Sequence, residues 1–301
     1  MELIVLTEDI NLRLDKYIAE RVELTRSAVC LLLENGDITL NGSTVNKSYK
    51  VRVGDKIEII IPKPRMLEIL AEDIPLDIYY EDEYLLVVNK PQGMVVHPAA
   101  GNYEKTLVNA LMAHCKDSLS GINGVIRPGI IHRIDKYTSG LLMVAKTNNA
   151  HLKLAEQIKE HSFLRIYNGI VYGHLKEEKG TVDAPIGRSP VDRKKMAVTD
   201  KNSKRAVTHY KVLEEFSEYT LVEFTLETGR THQIRVHMAY LGHSILGDTV
   251  YSPKSFDKME LIGQCLHAKK IGFIHPETNE YMEFDSVLPE YFTEIIKKLR
   301  R

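Results

Sequence analysis

The stretch Arg127–Lys146, RPGIIHRIDKYTSGLLMVAK, decides how the rest of the chain is read. Pro128-Gly129 makes a turn that leads into apolar Ile130 and Ile131. His132, Arg133, Asp135 and Lys136 then surround a single apolar residue, Ile134. Thr138-Ser139-Gly140 breaks the pattern, and Leu141 to Ala145 is an apolar run of strand length, too short for a helix. Asp135 therefore sits on a loop braced by buried segments, with cations at Arg133 and Lys136. A carboxylate so placed has two uses. It pairs with a neighbouring arginine or closes the turn, or it is a positioned nucleophile or base. This stretch alone leaves both open.

The 301 residues suffice for one large domain and a small one, because single cores rarely grow past ~250–300 residues. Hydrophobic residues make up 44% and charged ones 27%, which excludes a disordered chain. Lys and Arg total 40 against 41 Asp and Glu, so a nucleic-acid partner must be met by locally clustered cations. Cys30, Cys115 and Cys265 are odd in number and far apart, with no CxxC pair. They fit neither a disulfide framework nor a zinc site, and buried reduced thiols are expected. The start MELIVLTEDINLRLDK has an acid at Glu2 and a short apolar run, unlike a signal peptide. No run approaches ~18 apolar residues, so no membrane span is expected, and the expected location is the cytoplasm.

Residues 1–62 look self-contained. Leu12, Leu14, Tyr17, Ile18 and Val22 mark one face of a helix. Ser27 is placed to cap a second helix, Ala28 to Asn35, which Gly36 ends. Asn41-Gly42 between Ile38-Thr39-Leu40 and Ser43-Thr44-Val45 signals a hairpin. Val51 to Ile61 reads as another strand around Gly54-Asp55, and Pro62 and Pro64 open an extended linker over residues 63–71.

Residues 72–301 form the larger domain. Ile78-Tyr79-Tyr80, an acidic turn at Glu81-Asp82-Glu83, and Leu85 to Val88 read as paired strands, the second running into a loop at Asn89-Lys90-Pro91. A helix is expected from Thr106 to His114, and Asn148 is placed to cap another through Glu160. In Leu164–Gly173, read as a strand, Arg165, Tyr167 and Gly169 share a face opposite Leu164, Ile166 and Ile170. Tyr167 is thus either a packing tyrosine or a cleft-lining one. The segment 188–205 carries seven cations, Arg193, Lys194 and Lys195 among them, against two acids, which favours phosphate contact over a merely solvated loop. After strands at Tyr210–Leu213 and Thr220–Leu226, Thr231 is placed to cap a helix running to Tyr240, from which Arg235 projects at the edge of a buried face. A partly buried arginine needs an acidic partner. Leu266-His267-Ala268 and Phe273–Pro276 bring in the last strands, and Glu290–Leu299 closes the chain as a helix.

Two resemblances follow from these segments. LRLDKYIAE, LTRSAV, NGDITLNG and VRVGDKIEI together resemble the S4 domain, a small RNA-binding module. That resemblance implies RNA contacts from Arg13, Lys16 and Arg26, with Lys47 and Lys50 beside them, although the unit holds eight Lys and Arg against ten Asp and Glu. HRIDKYTSGLLMVAK, LRIYNGIVYG, DAPIGR, LETGRTHQIRVH, LGDTVY and LHA resemble the RluA-type pseudouridine synthases, and with an S4-like unit in front the chain is similar to their RluD-like subgroup, which modifies large-subunit ribosomal RNA.

The resemblance implies an α+β fold: a mixed, mostly antiparallel sheet with flanking helices and a central basic cleft. It implies isomerisation of uridine without metal or cofactor. Asp135 is then the essential carboxylate, Tyr167 the aromatic that stacks on uracil and helps remove the C5 proton, and Arg235 the partner of Asp135. Leu266 is an apolar wall, and Arg133 enters the RNA stack where the target base has left it. His132, Arg230 and His232, in the same motifs, join Arg133 in substrate binding. The implied partner is ribosomal RNA of the large subunit or its assembly precursor, met by a monomer. Two positions depart from the family's pattern: Tyr137, where an acidic or small polar residue is usual, and Arg165, where Lys is commoner. Neither removes a chemical role, and Tyr137 beside Asp135 bears on RNA contacts or substrate range.

Three readings compete with this one. The same chemistry on tRNA or another RNA is one, and a non-catalytic RNA-binding or ribosome-assembly factor is another. The latter has no need of a carboxylate among phosphates. A glycoside hydrolase requires a second catalytic acid, and none accompanies Asp135.

Overall fold

The computed structural model describes residues 1–22, 24–60, 69–99, 101–116, 118–122, 127–192, 195–253, 259 and 261–301. Arg193, Lys194 and most of the 63–71 linker lie outside the described residues. The chain divides into two compact units, Met1–Leu67 and Glu68–Arg301.

The first unit comprises β1 (Glu2–Ile4), α1 (Leu14–Arg21), α2 (Arg26–Asn35), β2 (Ile38–Leu40), β3 (Ser43–Thr44) and β4 (Lys56–Ile59). Its strands form one antiparallel sheet in the order β1-β4-β2-β3. Leu14, Tyr17 and Ile18 of α1 meet Val29, Leu32 and Leu33 of α2 over Ile38, Leu40, Ile57 and Ile59 of the sheet. Asn41 and Gly42 both have positive φ, 51° and 79°, as the two-residue hairpin turn demands. Three details differ from the sequence expectation. α2 starts at Arg26, so Ser27 lies inside it and not at its N-cap position. The strand expected over Val51–Ile61 shrinks to Lys56–Ile59, because buried Val51 exchanges backbone hydrogen bonds with Asn11 and Leu12 instead of joining the sheet. β1, with one half-buried residue between two exposed ones, carries too little pattern to be seen in advance.

The second unit comprises β5 (Asp77–Glu81), β6 (Leu85–Lys90), α3 (Leu107–Cys115), β7 (Ser139–Ala145), α4 (Asn148–Lys159), β8 (Leu164–Tyr172), β9 (Lys179–Asp183), β10 (Ile186–Arg188), β11 (Met196–Val198), β12 (Ser203–Lys204), β13 (Val207–Glu215), β14 (Tyr219–Leu226), α5 (Gln233–Tyr240), β15 (Leu266–Ile274), β16 (Tyr281–Asp285) and α6 (Glu290–Leu299). Among the described residues, nine strands form one sheet in the order β5-β6-β7-β15-β8-β14-β13-β9, with β16 also paired to β15. Every pairing in it is antiparallel except β7 with β15. The fold is α+β, with a mixed and mostly antiparallel sheet.

β7 is buried at every residue, which explains why its sequence is a continuous apolar run. Leu142 and Val144 face one layer with Leu107, Leu111, Ile234 and Met238 of α3 and α5. Leu141, Met143 and Ala145 face the other with Ala150 and Leu154 of α4. Each leucine so enclosed contributes roughly 1.5–3 kcal/mol. The parallel contact depends on Gly140, at φ 115°: a Cβ there meets Ala268 O at 2.3 Å, so any side chain forces β7 and β15 apart.

The helix starts also differ from expectation. Thr147, not Asn148, caps α4 by accepting from Ala150 N, while Asn148 Oδ1 is drawn to Ser120 Oγ and Gly121 N. Thr231 does not cap α5, whose N-cap is His232 in the left-handed region at φ 57°. The basic segment 188–205 folds its described parts into the small sheet β11-β10-β12, held by Ile186 packed with Ala206 and Val236. Leu266–Ile274 is one nine-residue strand, and β16 was not foreseen. All three cysteines are free, with Cys30 only half-buried. No helix among the described residues is long and apolar enough to cross a membrane.

Candidate active site

Asp135 lies on the loop entering β7, behind buried Ile134 and Thr138. Arg235, in the first turn of α5, donates from Nη1 to Asp135 Oδ2 at 2.8 Å. Its Nε and Nη2 donate to Asp248 at 2.7 and 2.9 Å, and its guanidinium lies 5.1 Å from the Tyr251 ring centre. Arg235 is thus a buried cation between two carboxylates. Burial alone lowers its pKa, but the hydrogen bonds and charge of Asp248, with the charge of Asp135, reverse the sign and raise it. Asp248 is itself fixed, since its Oδ1 accepts from Val250 N and Tyr251 N.

The other oxygen of Asp135 is less engaged. Among the described residues its neighbour is His232 Nε2 at 3.8 Å. Met196 N donates to Tyr251 Oη at 3.0 Å, and Tyr251 Oη lies 2.8 Å from His232 Nδ1. With the phenol as donor to Nδ1, the imidazole proton is on Nε2, facing Asp135. Burial lowers the His232 pKa against the pull of Asp135.

Tyr167, from the middle of β8, shares a narrow recess of about 60 Å³ with Asp135, Leu226, Leu266 and Arg235. Burial, and then the charge of Asp135, raise the Tyr167 pKa, with Arg165 opposing, so the phenol is neutral near pH 7. The recess opens beside a cavity of about 470 Å³ that Asp135 and Tyr167 also line.

The other residues singled out from the sequence are placed as follows. Arg133 is exposed at the cleft, with Nη1 3.4 Å from His97 Nε2. His132 lines the larger cavity, but its Nε2 accepts from Met143 N, and burial followed by Arg165 push its pKa down to about 3. Arg230 lines both spaces while its Nε donates to Arg205 O. Lys195 is half-buried in the turn of the small sheet. In the first unit, Arg13 and Arg26 both donate to Asp15, a buried carboxylate held below its usual range first by Arg13. Their side chains stay about half exposed, and Lys16 pairs loosely with Glu20.

Two residues of the site escaped the sequence reading. Asp248 is one; the demand that a buried Arg235 have an acid was legible, but not which acid. Lys90 is the other, and its signal was a lysine ending a strand whose first four residues are apolar and buried. It is fully buried, and its Nζ donates to the carbonyls of Pro91, Met94 and Lys136 at 2.8, 2.9 and 3.2 Å. It therefore ties the 91–94 loop to the residue after Asp135. Burial pushes its pKa down to about 7, with Asp135 pulling the other way. An unfolded lysine keeps its proton to about 10.4, so the unfolded state binds more protons in this window, and stability rises as pH climbs from about 7 towards that value. Lys90→Met is expected to remove that slope and to cost at least about 2 kcal/mol near pH 7, since it strands three carbonyls. Chemical denaturation at several pH values checks this; an unchanged profile assigns the loop's order to other contacts.

Comparison with known proteins gives a consistent result. A family model described as RNA pseudouridylate synthase matches residues 84–240, and an S4 domain model matches residues 12–57. An uncharacterized RNA pseudouridine synthase of Bacillus subtilis is 52% identical over 290 residues, covering 96% of this chain and 94% of the relative. The ribosomal large subunit pseudouridine synthase D of Zymomonas mobilis is 49% identical over 309 residues, covering 99% and 97%. The solved human RNA pseudouridylate synthase domain containing 1 superposes with a TM-score of 0.60 at 25% identity, over 79% of this chain and 97% of its own.

Proposed function

Since the chain belongs to the RNA pseudouridine synthase family and carries an S4 domain, we propose that it isomerises specific uridines of large-subunit (23S) ribosomal RNA through Asp135. The observation that carries this reading is the Arg235 bridge, which presents Asp135 with Oδ2 held and Oδ1 open to the cleft. The rRNA class is supported by relatives in Zymomonas mobilis and Pseudomonas aeruginosa named for the ribosomal large subunit.

A uridine stacked in RNA is out of reach of a recessed carboxylate. It has to be flipped out, at a cost of a few kcal/mol. Exposed Arg133 offers a planar guanidinium to fill the gap. Asp135 Oδ1 then attacks the ribose or the base, or takes a ribose proton in a glycal route. In each case the C1′–N1 pair leaves with uracil, the base turns, C5 bonds to C1′, the C5 proton is lost and N1 gains one; the glycal route also returns the abstracted proton to C2′. The sequence is redox-neutral and conserves atoms. Tyr167 provides the face against which uracil stacks, with Leu266 as the opposite apolar wall. Half-exposed Arg13, Lys16 and Arg26 of the S4 domain, and the basic segment around Lys195, supply phosphate contacts.

Mapping pseudouridine in RNA from cells with and without this gene tests the proposal. Loss of sites in large-subunit rRNA is expected; loss confined to tRNA would instead make tRNA the substrate. Tyr167→Phe keeps the stacking face and is expected to slow the final proton loss by about 10²-fold, with RNA affinity retained. The check is a deuterium isotope effect at C5 that appears in the variant. Turnover like wild type would reduce Tyr167 to a platform.

A further inference from the structure

Arg165 lies in β8 two residues before Tyr167 and is 4% exposed. Its Nη2 donates to Glu227 O at 3.0 Å, and its guanidinium lies 5.7 Å from the Phe163 ring centre. Its Nε has no hydrogen-bond partner, and no carboxylate pairs with it among the described residues. The contrast with Arg235 is direct: two buried arginines flank one cleft, one balanced by two carboxylates and one by none. A guanidinium cannot shed its proton at working pH, so burying it without a counter-charge is costly.

The surroundings deepen the imbalance. Arg165 lines the cavity of about 470 Å³ together with Arg133, Lys159, His161 and Arg230. The carboxylate on that lining is Asp135, already engaged by Arg235. The space is also shaped around the guanidinium, because a Cβ at Gly229 falls 2.5 Å from Arg165 Nη1. A carbonyl or hydroxyl of a ligand satisfies the open Nε and leaves the charge unbalanced. A phosphodiester does both, through the paired N–H geometry that arginine offers to phosphate.

We propose that Arg165 is a built counter-ion site for an RNA phosphodiester at or next to the flipped uridine, a proposal that rests on the RNA-modifying function above. The phosphate is local to the target because Arg165, Tyr167 and Asp135 line the same cavity. Arg165 thus positions the target's backbone while Tyr167, on the same strand face, receives its base.

The test uses full-length wild type, Arg165→Lys and Arg165→Gln. The probe is an RNA stem–loop spanning the mapped uridine, with natural phosphates or with one uncharged methylphosphonate 5′ or 3′ of it. Arg165→Gln is expected to bind about 10-fold more weakly, with a salt dependence shallower by about one phosphate contact, and Arg165→Lys to recover most of the loss. One of the two methylphosphonates weakens wild type by a similar factor and costs Arg165→Gln nothing further. An unchanged salt slope, or methylphosphonate penalties equal in wild type and Arg165→Gln, overturns the proposal. Inorganic phosphate gives a second readout that needs neither the mapped RNA nor the Gln variant. The ¹⁵N-labelled Nε–H resonance of Arg165, assigned by its loss in Arg165→Lys, shifts saturably with phosphate and not with chloride; no shift overturns the site. If the mapping finds no modified uridine, the proposed function fails while the phosphate titration still decides Arg165.

Discussion

Asp135→Asn is expected to abolish uridine isomerisation, by at least about 10⁴-fold, the scale on which loss of a nucleophile acts in covalent enzymes. The substitution is nearly isosteric, and its remaining carbonyl oxygen can still accept from Arg235 Nη1, now 2.8 Å from Asp135 Oδ2. Arg235 also keeps both bonds to Asp248. The fold and the recess therefore persist, and RNA affinity stays within a few fold of wild type. What disappears is an anionic oxygen open to the cleft. Single-turnover assays on the mapped RNA, with binding measured in parallel, separate these outcomes. Turnover above about 1% of wild type means that another group performs the first bond cleavage.

Arg235→Met is expected to fail in both stability and turnover. The Asp248 side chain is fully enclosed, and the substitution leaves it charged without its cation. Removing one member of a buried ion pair costs about 3–5 kcal/mol, which for a unit of this size lowers the melting temperature by roughly 6–20 °C. Arg235→Lys keeps a charge but loses the planar fork that spans two carboxylates, so it folds better than Arg235→Met while turning over almost as poorly. Adding Asp248→Asn to Arg235→Met is expected to restore part of the stability, because the stranded charge is gone, and none of the activity. Thermal unfolding of the three variants checks the order. A single Arg235→Met variant that melts within about 2 °C of wild type would show that Asp248 is stabilised without it.

The sequence signals that were readable have a common origin. Leu141–Ala145 is buried on both faces, so its whole length is apolar and only its shortness marks a strand. Asp135, Tyr167 and Arg235 lie on separate segments with strong local motifs, and the fold gathers them around one recess. The residues that escaped are those whose role is set by tertiary partners. Asp248 became the second acid on Arg235 because a turn after α5 brings it back to the helix, which spacing alone does not specify. At α4, Thr147 and Asn148 are both competent caps, and Ser120 and Gly121 decide between them by taking the Asn148 side chain. At α5 the side chain of Gln233 accepts from Arg230 N and Thr228 Oγ1, fixing the entry to the helix and displacing Thr231 from the cap. β16 did alternate, with Met282 and Phe284 turned inward, but its exposed tyrosine and acids masked the period.

The parallel contact between β7 and β15 also sets when the cleft can be completed. Ser139 pairs with His267, 128 residues further along the chain. A contact so distant in sequence forms only after much loop entropy has been lost. During synthesis it cannot form at all until β15 has left the ribosome. A nascent chain that already displays Asp135, Tyr167 and Arg235 still has its two half-sheets unjoined and lacks the Leu266 wall. The cleft is therefore completed only late in synthesis, when β15 has joined the two half-sheets.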